Sequence, residues 1–215
     1  MSRTQGGFGL IEGVLALAIG LLLLAAASQL FVSAHDTWRL QGASARLQAD
    51  ARLALQRMAQ DIRMAGMFGC LRLQPDDFTD SLALQAFAQP LQVGANSLSL
   101  VVAELPGHTG APDWTLLTNC IDEAHVHSGR VDGSQHPLAI PISQYLYVLD
   151  GTTLRFRRRG ASQPLVDHVR EMRVAFVEAP QGGRVDVHLT LFEPTLGIEQ
   201  QHALSVALRN PLAGP

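Results

Sequence analysis

Apolar and polar positions follow three different rules along this chain of 215 residues. From Gly13 to Ala34 there is no charged side chain at all. Beyond Ala34 the run becomes amphipathic. Leu40, Ala43, Leu47, Ala51, Ala54, Met58, Ile62 and Ala65 recur at steps of three and four, while Arg46, Asp50, Arg52, Arg57, Asp61 and Arg63 fall on the opposite face. No proline interrupts the stretch between Phe8 and Pro75, and Gly66 and Gly69 are suitable stops. The pattern predicts one helix of roughly 58 residues, about 85 Å long at 1.5 Å per residue. Its first half suits lipid or an apolar bundle, and its second half suits packing on a domain. Gly13, Gly20 and Gly42 are possible bends, since each costs about 1 kcal/mol relative to alanine.

After Gly69 the period shortens. Asp76, Asp77 and Asp80 lie in a proline-containing stretch that reads as a solvated turn; it lacks the glycine and glutamate of a calcium-binding EF-hand loop. Ser97 to Val102 alternates and then becomes continuously apolar, which suits a strand. From Glu104 to Pro141 the composition turns to Gly, Pro, His and Asp and reads as a long loop pinned by Cys120. Gln144 to Arg159 is a hairpin, with Tyr145, Tyr147, Leu154 and Phe156 flanking Asp150-Gly151, a type I′ turn signal. Arg155, Arg157 and Arg159 alternate onto the face opposite Leu154 and Phe156. Val166 to Val169 reads as a short turn of helix or an extended link. Glu171 to Glu178, Val185 to Phe192 and Ala203 to Leu208 are strand-like, with a turn at Gln181-Gly182-Gly183. The expected fold class is α+β, an antiparallel sheet packed against the second half of the long helix.

Composition narrows the function. A net charge of −3 argues against a general nucleic-acid binder. All basic residues are arginine, and the absence of lysine excludes Schiff-base chemistry and a P-loop. No serine sits in a nucleophile-elbow sequence, and there is no H-E-x-x-H pair or glycine-rich phosphate loop. His125 and His127 would share one face of a strand, with His108 and His136 nearby in sequence, but nothing fixes a metal geometry. The expectation is a protein that is not an enzyme and carries no cofactor or metal. Arg155, Arg157, Arg158 and Arg159 form a basic stripe; it reads as a solvated face or a contact to an acidic neighbour rather than to DNA.

Glu12 decides between the readings of the N-terminal run. A carboxylate in an apolar span is penalised by about 2.5 to 3.5 kcal/mol, so it calls for a partner. A secretory signal cleaved after Ala25-Ala26-Ala27, or a plain single-span anchor, leaves that charge unexplained. Gly7-Phe8-Gly9-Leu10-Ile11-Glu12, directly ahead of about 20 uncharged residues, resembles the class III signal of type IV prepilins and pseudopilins. The resemblance implies that prepilin peptidase cuts between Gly7 and Phe8, that Phe8 becomes the N-methylated first residue, and that Glu12 is the acidic fifth residue. Trp38-Arg39-Leu40-Gln41, Asp61-Ile62-Arg63-Met64 and Ala65-Gly66-Met67-Phe68-Gly69-Cys70 are similar to the PilW family of type IV minor pilins, a likeness covering about the first 70 residues. Gly9 and Gly13 depart from the bulkier residues common there.

The resemblance implies a leader over residues 1–7, a membrane and filament-core segment over 8–34, an amphipathic half-helix over 35–66 and a β-rich extracytoplasmic domain over 67–215. It implies an inner-membrane protein with a periplasmic domain that later joins the pilus at the cell surface. The partners it implies are other minor pilins, the major pilin, an inner-membrane assembly platform and a pilus-tip adhesin, with a role in pilus priming and so in twitching motility, adhesion or DNA uptake. A J-like pseudopilin of type II secretion is the alternative, and a membrane-anchored periplasmic enzyme or binding protein a remote one. In an exported chain Cys70 and Cys120 read as one disulfide, with two buried thiols the other possibility.

Overall fold

A computed structural model describes residues 9–104, 110–134, 136–178 and 183–210. The chain divides into two compact units, residues 1–45 and 46–215. A single helical element, α1 (Leu10–Met64, 55 residues), runs through both and passes Gly13, Gly20 and Gly42 without interruption. In the first unit its apolar side chains are exposed, with Leu21, Leu22, Leu23 and Leu24 between 59% and 71% accessible.

The second unit is an α+β domain in which the amphipathic part of α1 packs on antiparallel sheet. Leu47, Ala51, Ala54, Leu55, Met58 and Ile62 form the buried stripe, and its alanines let strands approach the helix axis closely. The helix stops where Gly66 adopts φ 72°, a left-handed conformation that favours glycine. The freed backbone is then secured. Ala65 O accepts from Asn210 Nδ2 at 3.0 Å, and Gly66 N–H donates to Val101 O at 3.1 Å.

The larger, seven-stranded sheet holds β1 (Leu91–Val93), β2 (Ser97–Ala103), β3 (Trp114–Thr118), β4 (Ala124–Ser128), β5 (Leu138–Asp150), β6 (Thr153–Arg158) and β7 (Ala161–Val166). Its order is β1-β2-β5-β3-β4, with β6 between β5 and β7. β5 is the shared strand. One edge pairs with β2 over 142–148, and the other serves β3 at 138–142 and β6 at 146–150. The smaller sheet, in order β10-β9-β8, comprises β8 (Val169–Val177), β9 (Arg184–Glu193) and β10 (Ile198–Ala207).

Two cores result. Leu98, Leu100 and Val102 of β2 join the α1 stripe, Tyr147, Phe156 and the apolar side of β8, β9 and β10. Val101 and Ala103, on the other face of β2, join Phe87, Trp114, Leu116 and Ile142. A strand buried on both faces loses its alternation, which is why Ser97 to Val102 turns continuously apolar.

Four expectations need correction. The stretch read as a solvated acidic turn contains a turn of 3-10 helix, Pro75–Asp77, and α2 (Ser81–Ala88), whose Ala83 and Phe87 cover the second core. Asp80 caps α2, accepting from Leu82 N–H at 2.9 Å. The stretch from Glu104 to Pro141, read as a loop, supplies β3, β4 and the start of β5. β3 escaped notice because all five of its residues are buried, leaving a short run with no period. The link at Val166 to Val169 is preceded by β7, which exists through its pairing with β6. Finally, Asp150 pairs with Thr153, so the hairpin turns at Gly151-Thr152 rather than at Asp150-Gly151, with Gly151 at φ 61° as a II′-type turn requires. The turn expected at Gln181-Gly182-Gly183 falls largely outside the described residues.

Cys70 and Cys120 are joined in a disulfide, with Cα atoms 5.4 Å apart. It ties the segment after α1 to the β3–β4 turn, where Asn119 Oδ1 accepts from the N–H groups of Ile121, Asp122 and Glu123. Gly69, at φ 91°, passes so near Leu116 and Ile140 that a Cβ there would lie 3.3 Å from both side chains. Closing a loop of 50 residues restricts the unfolded chain. Replacing both cysteines by serine should lower the unfolding free energy by about 4 kcal/mol, read as an earlier urea midpoint for the full chain in detergent micelles; an unchanged midpoint would refute this.

Candidate functional site

The first unit offers a surface rather than a pocket. α1 is long and apolar enough to cross a membrane over its N-terminal part. Two of its hydroxyls are satisfied inside the helix, Ser28 Oγ donating to Leu24 O and Thr37 Oγ1 to Ser33 O, each at 2.8 Å, which suits a segment leaving water. Phe31, His35 and Trp38 stand in a ladder along one side, with centroids 6.4 and 6.1 Å apart. Phe31 and Trp38 are 73% and 70% exposed. Aromatic rings at the end of an apolar run suit the boundary between hydrocarbon and water.

Glu12 lies in the first turn of α1. Its Oε2 accepts from Gly9 N–H at 3.0 Å, while Gly9 O receives the N–H groups of Glu12 and Gly13. The carboxylate therefore caps its own helix, where the macrodipole favours negative charge. This role was missed in the sequence, although an acid three residues after glycine at a helix start is its signal. Among the described residues no cation pairs with Glu12. Gly7 and Phe8, the expected processing residues, lie outside the described residues.

The second unit gathers its charges where α1 meets the larger sheet. At the end of β2, the Glu104 side chain is 2% exposed. Its Oε1 lies 2.7 Å from Arg158 Nη2, and its Oε2 accepts from Tyr145 OH at 2.9 Å. Arg158 also donates to Ser143 Oγ and Ala111 O. Tyr147 OH donates to Asp61 of α1, and the Arg57 guanidinium sits 4.0 Å above the Phe156 ring. Burial, reinforced by the charge of Glu104, pushes the Tyr145 phenol well above its ordinary value; burial and Asp61 do the same to Tyr147. The Asp61 carboxyl is raised too, because burial outweighs the Tyr147 hydrogen bond and the Arg57 charge. Arg57, Tyr145, Phe156, Arg158, Arg159 and Gln163 line a cleft of about 490 Å³ here.

The arginine stripe is thereby divided. Arg155 and Arg157 both face Asp150, at 3.3 and 3.7 Å. Arg159 donates to Pro112 O and lies 3.7 Å from Asp113. Each member has a partner within the domain, so the basic face is partly neutralised. The remaining candidates stay apart. His125, His127 and His136 have ring centroids more than 6 Å apart, and among the described residues no group of three or more His, Cys, Asp or Glu is placed to hold a metal ion. His108 lies outside the described residues. Asp77 and Asp80 cap backbone N–H groups.

These features define a class: a chain with an exposed apolar helix able to span a bilayer, continued into a disulfide-tied α+β domain. That is the arrangement implied by the prepilin resemblance. No family model matches the chain, and neither a curated protein nor a solved structure does.

Two predictions follow from the buried charges. Arg158→Ala strands the Glu104 carboxylate without its cation and should destabilise by about 3 to 5 kcal/mol, whereas adding Glu104→Gln should recover most of that loss; equal losses in both variants would contradict this. Asp61, with its folded pKa raised above the ordinary 3.8, contributes stability that is full below the unfolded pKa and lost as pH rises through the folded one. Relative to the parent, Asp61→Asn should therefore gain stability as pH rises above the ordinary 3.8, measured by urea titration at each pH.

Proposed function

We propose that the protein is a subunit of a helical surface filament, and more particularly a type IV minor pilin of the PilW kind. On this reading it is not an enzyme. Prepilin peptidase removes residues 1–7 and Phe8 becomes the methylated N-terminus. The segment Phe8 to Ala34 then moves from the inner membrane into a bundle of like helices. The domain beyond Gly66, held outside the cytoplasm, selects lateral neighbours among other minor pilins, the major pilin and a tip adhesin.

The observation that carries this reading is Glu12, one carboxylate in the first turn of an exposed and otherwise uncharged helical run. Its bond to Gly9 offsets part of the penalty of a charge in hydrocarbon, but not the charge itself. An amine at Phe8 of an adjacent subunit would compensate it. Because such a pair recovers little net energy after desolvation, its effect is on axial register.

Glu12→Ala should leave cleavage after Gly7 intact and sharply reduce incorporation into sheared surface filaments. The checks are intact mass of the mature chain from membranes and immunoblots of the sheared fraction. A mature start at N-methyl-Phe8 with lost incorporation supports the proposal. A start at Ser28 or at Met1, or full incorporation of the variant, overturns it.

A further inference from the structure

Among the described residues the sheets end in several edges, and most of them are guarded. β1 is only three residues long. β4 is covered by the segment before α2: Phe78 bridges Val126, and both Thr79 N–H and Thr79 Oγ1 donate to Val126 O. β7 carries Pro164. β8 lies against β1, β2 and β5. Short length, proline and covering segments are the usual protections of an edge.

Among the described residues β10 has none of these. Its ten residues pair with β9 in unbroken register, from Ile198 opposite Glu193 to Ala207 opposite Arg184. It contains no proline, lysine or arginine and no bulge. Its one acid, Glu199, is bound to Arg170 at 2.5 Å. Among the described residues no strand lies on its outer side, so about half its backbone N–H and C=O groups face outward.

Beside β10 runs a groove of about 770 Å³ between this strand and α1. Leu55 and Ala59, only 8% and 5% exposed, are apolar floor, and Leu204 of β10 adds to it. Arg52 and Arg63 stand exposed along the helix side, and no acidic residue lines the groove. Neither arginine has an acidic partner among the described residues.

We propose that β10 and this groove receive an extended, acid-bearing segment of another polypeptide, which adds to the smaller sheet as a fourth strand. Main-chain bonds to β10 hold the segment. Its helix-facing side chains alternate along the groove, small apolar ones over Leu55 and Ala59 and carboxylates toward Arg52 and Arg63. A second copy of the chain fits less well, because its own β10 would present only Glu199, already tied to Arg170. The inference stands apart from the filament reading, since it depends only on the second unit and its test uses neither processing nor assembly.

The test is hydrogen exchange on the full chain in detergent micelles, with a synthetic decapeptide in which valine and glutamate take turns at every second position, serines between them, so that both fall on one face, and a control with arginine in place of each glutamate. At free peptide about ten times its Kd, the glutamate peptide should slow exchange across 198–207 about tenfold. The control should leave it unchanged. Arg52→Glu combined with Arg63→Glu, at exposed positions that keep the helical circular dichroism, should reverse the preference. The proposal is overturned by no slowing with the glutamate peptide, by equal slowing with both, or by protection that appears without peptide and rises with protein concentration, which would make a second copy the occupant.

Discussion

The domain depends on one packed stripe, the buried face of α1 from Leu47 to Ile62. Met58 and Ile62 are fully buried against residues from both sheets, and burial of each contributes about 2 kcal/mol. Neither sheet could close its apolar face without this helix. β9 presents Val185, Val187, Leu189 and Leu191 on one side, and β2 presents Leu98, Leu100 and Val102. Those residues need a shared cover, which α1 supplies. The alanines at 51, 54 and 59 make close approach possible, and the bulkier Met58 and Ile62 fill the space between.

Apolar packing alone would let the helix slide or rotate, and the polar contacts beside it limit that freedom. Asp61 accepts from Tyr147 and Arg57 stacks on Phe156, so two adjacent turns of α1 are referenced to β5 and β6. Glu104 and Arg158 then join the ends of β2 and β6. Buried ionic contacts add little net energy once desolvation is counted, but they penalise every arrangement that leaves one member unpaired. The disulfide adds a third reference at the far end of the helix, beyond the left-handed Gly66.

The N-terminal part of α1 obeys the opposite rule. Its leucines are exposed, the Ser28 and Thr37 hydroxyls bond to its own backbone and its lone acid caps its own first turn. Each of these adjustments removes a demand for water. A surface of this kind needs cover from lipid or from other helices, and the same chemistry serves either.

How much of this was legible in the residues differs by element. The long helix, its stop at Gly66, the β5–β6 hairpin, the strands β8 and β9 and the second half of β10 could be read because local period and turn chemistry encode them directly. The pairing of Cys70 with Cys120 could be read because two cysteines leave one combination. The reading failed where burial erased the pattern: Trp114 to Thr118 is apolar or hydrogen-bonded on both faces and shows no alternation, and Ala161 to Val166 is a strand only because β6 offers it an edge. It also failed for the arginines. Sequence placed Arg155, Arg157, Arg158 and Arg159 in a row, but the hairpin folds Asp150 back on the first two, and only the fold brings Glu104, Asp113 and Pro112 from far along the chain to meet Arg158 and Arg159. Local periodicity determined the long helix and the periodic strands; long-range pairing decided β3 and β7, which charges are satisfied, and, among the described residues, that the edge of β10 stays open.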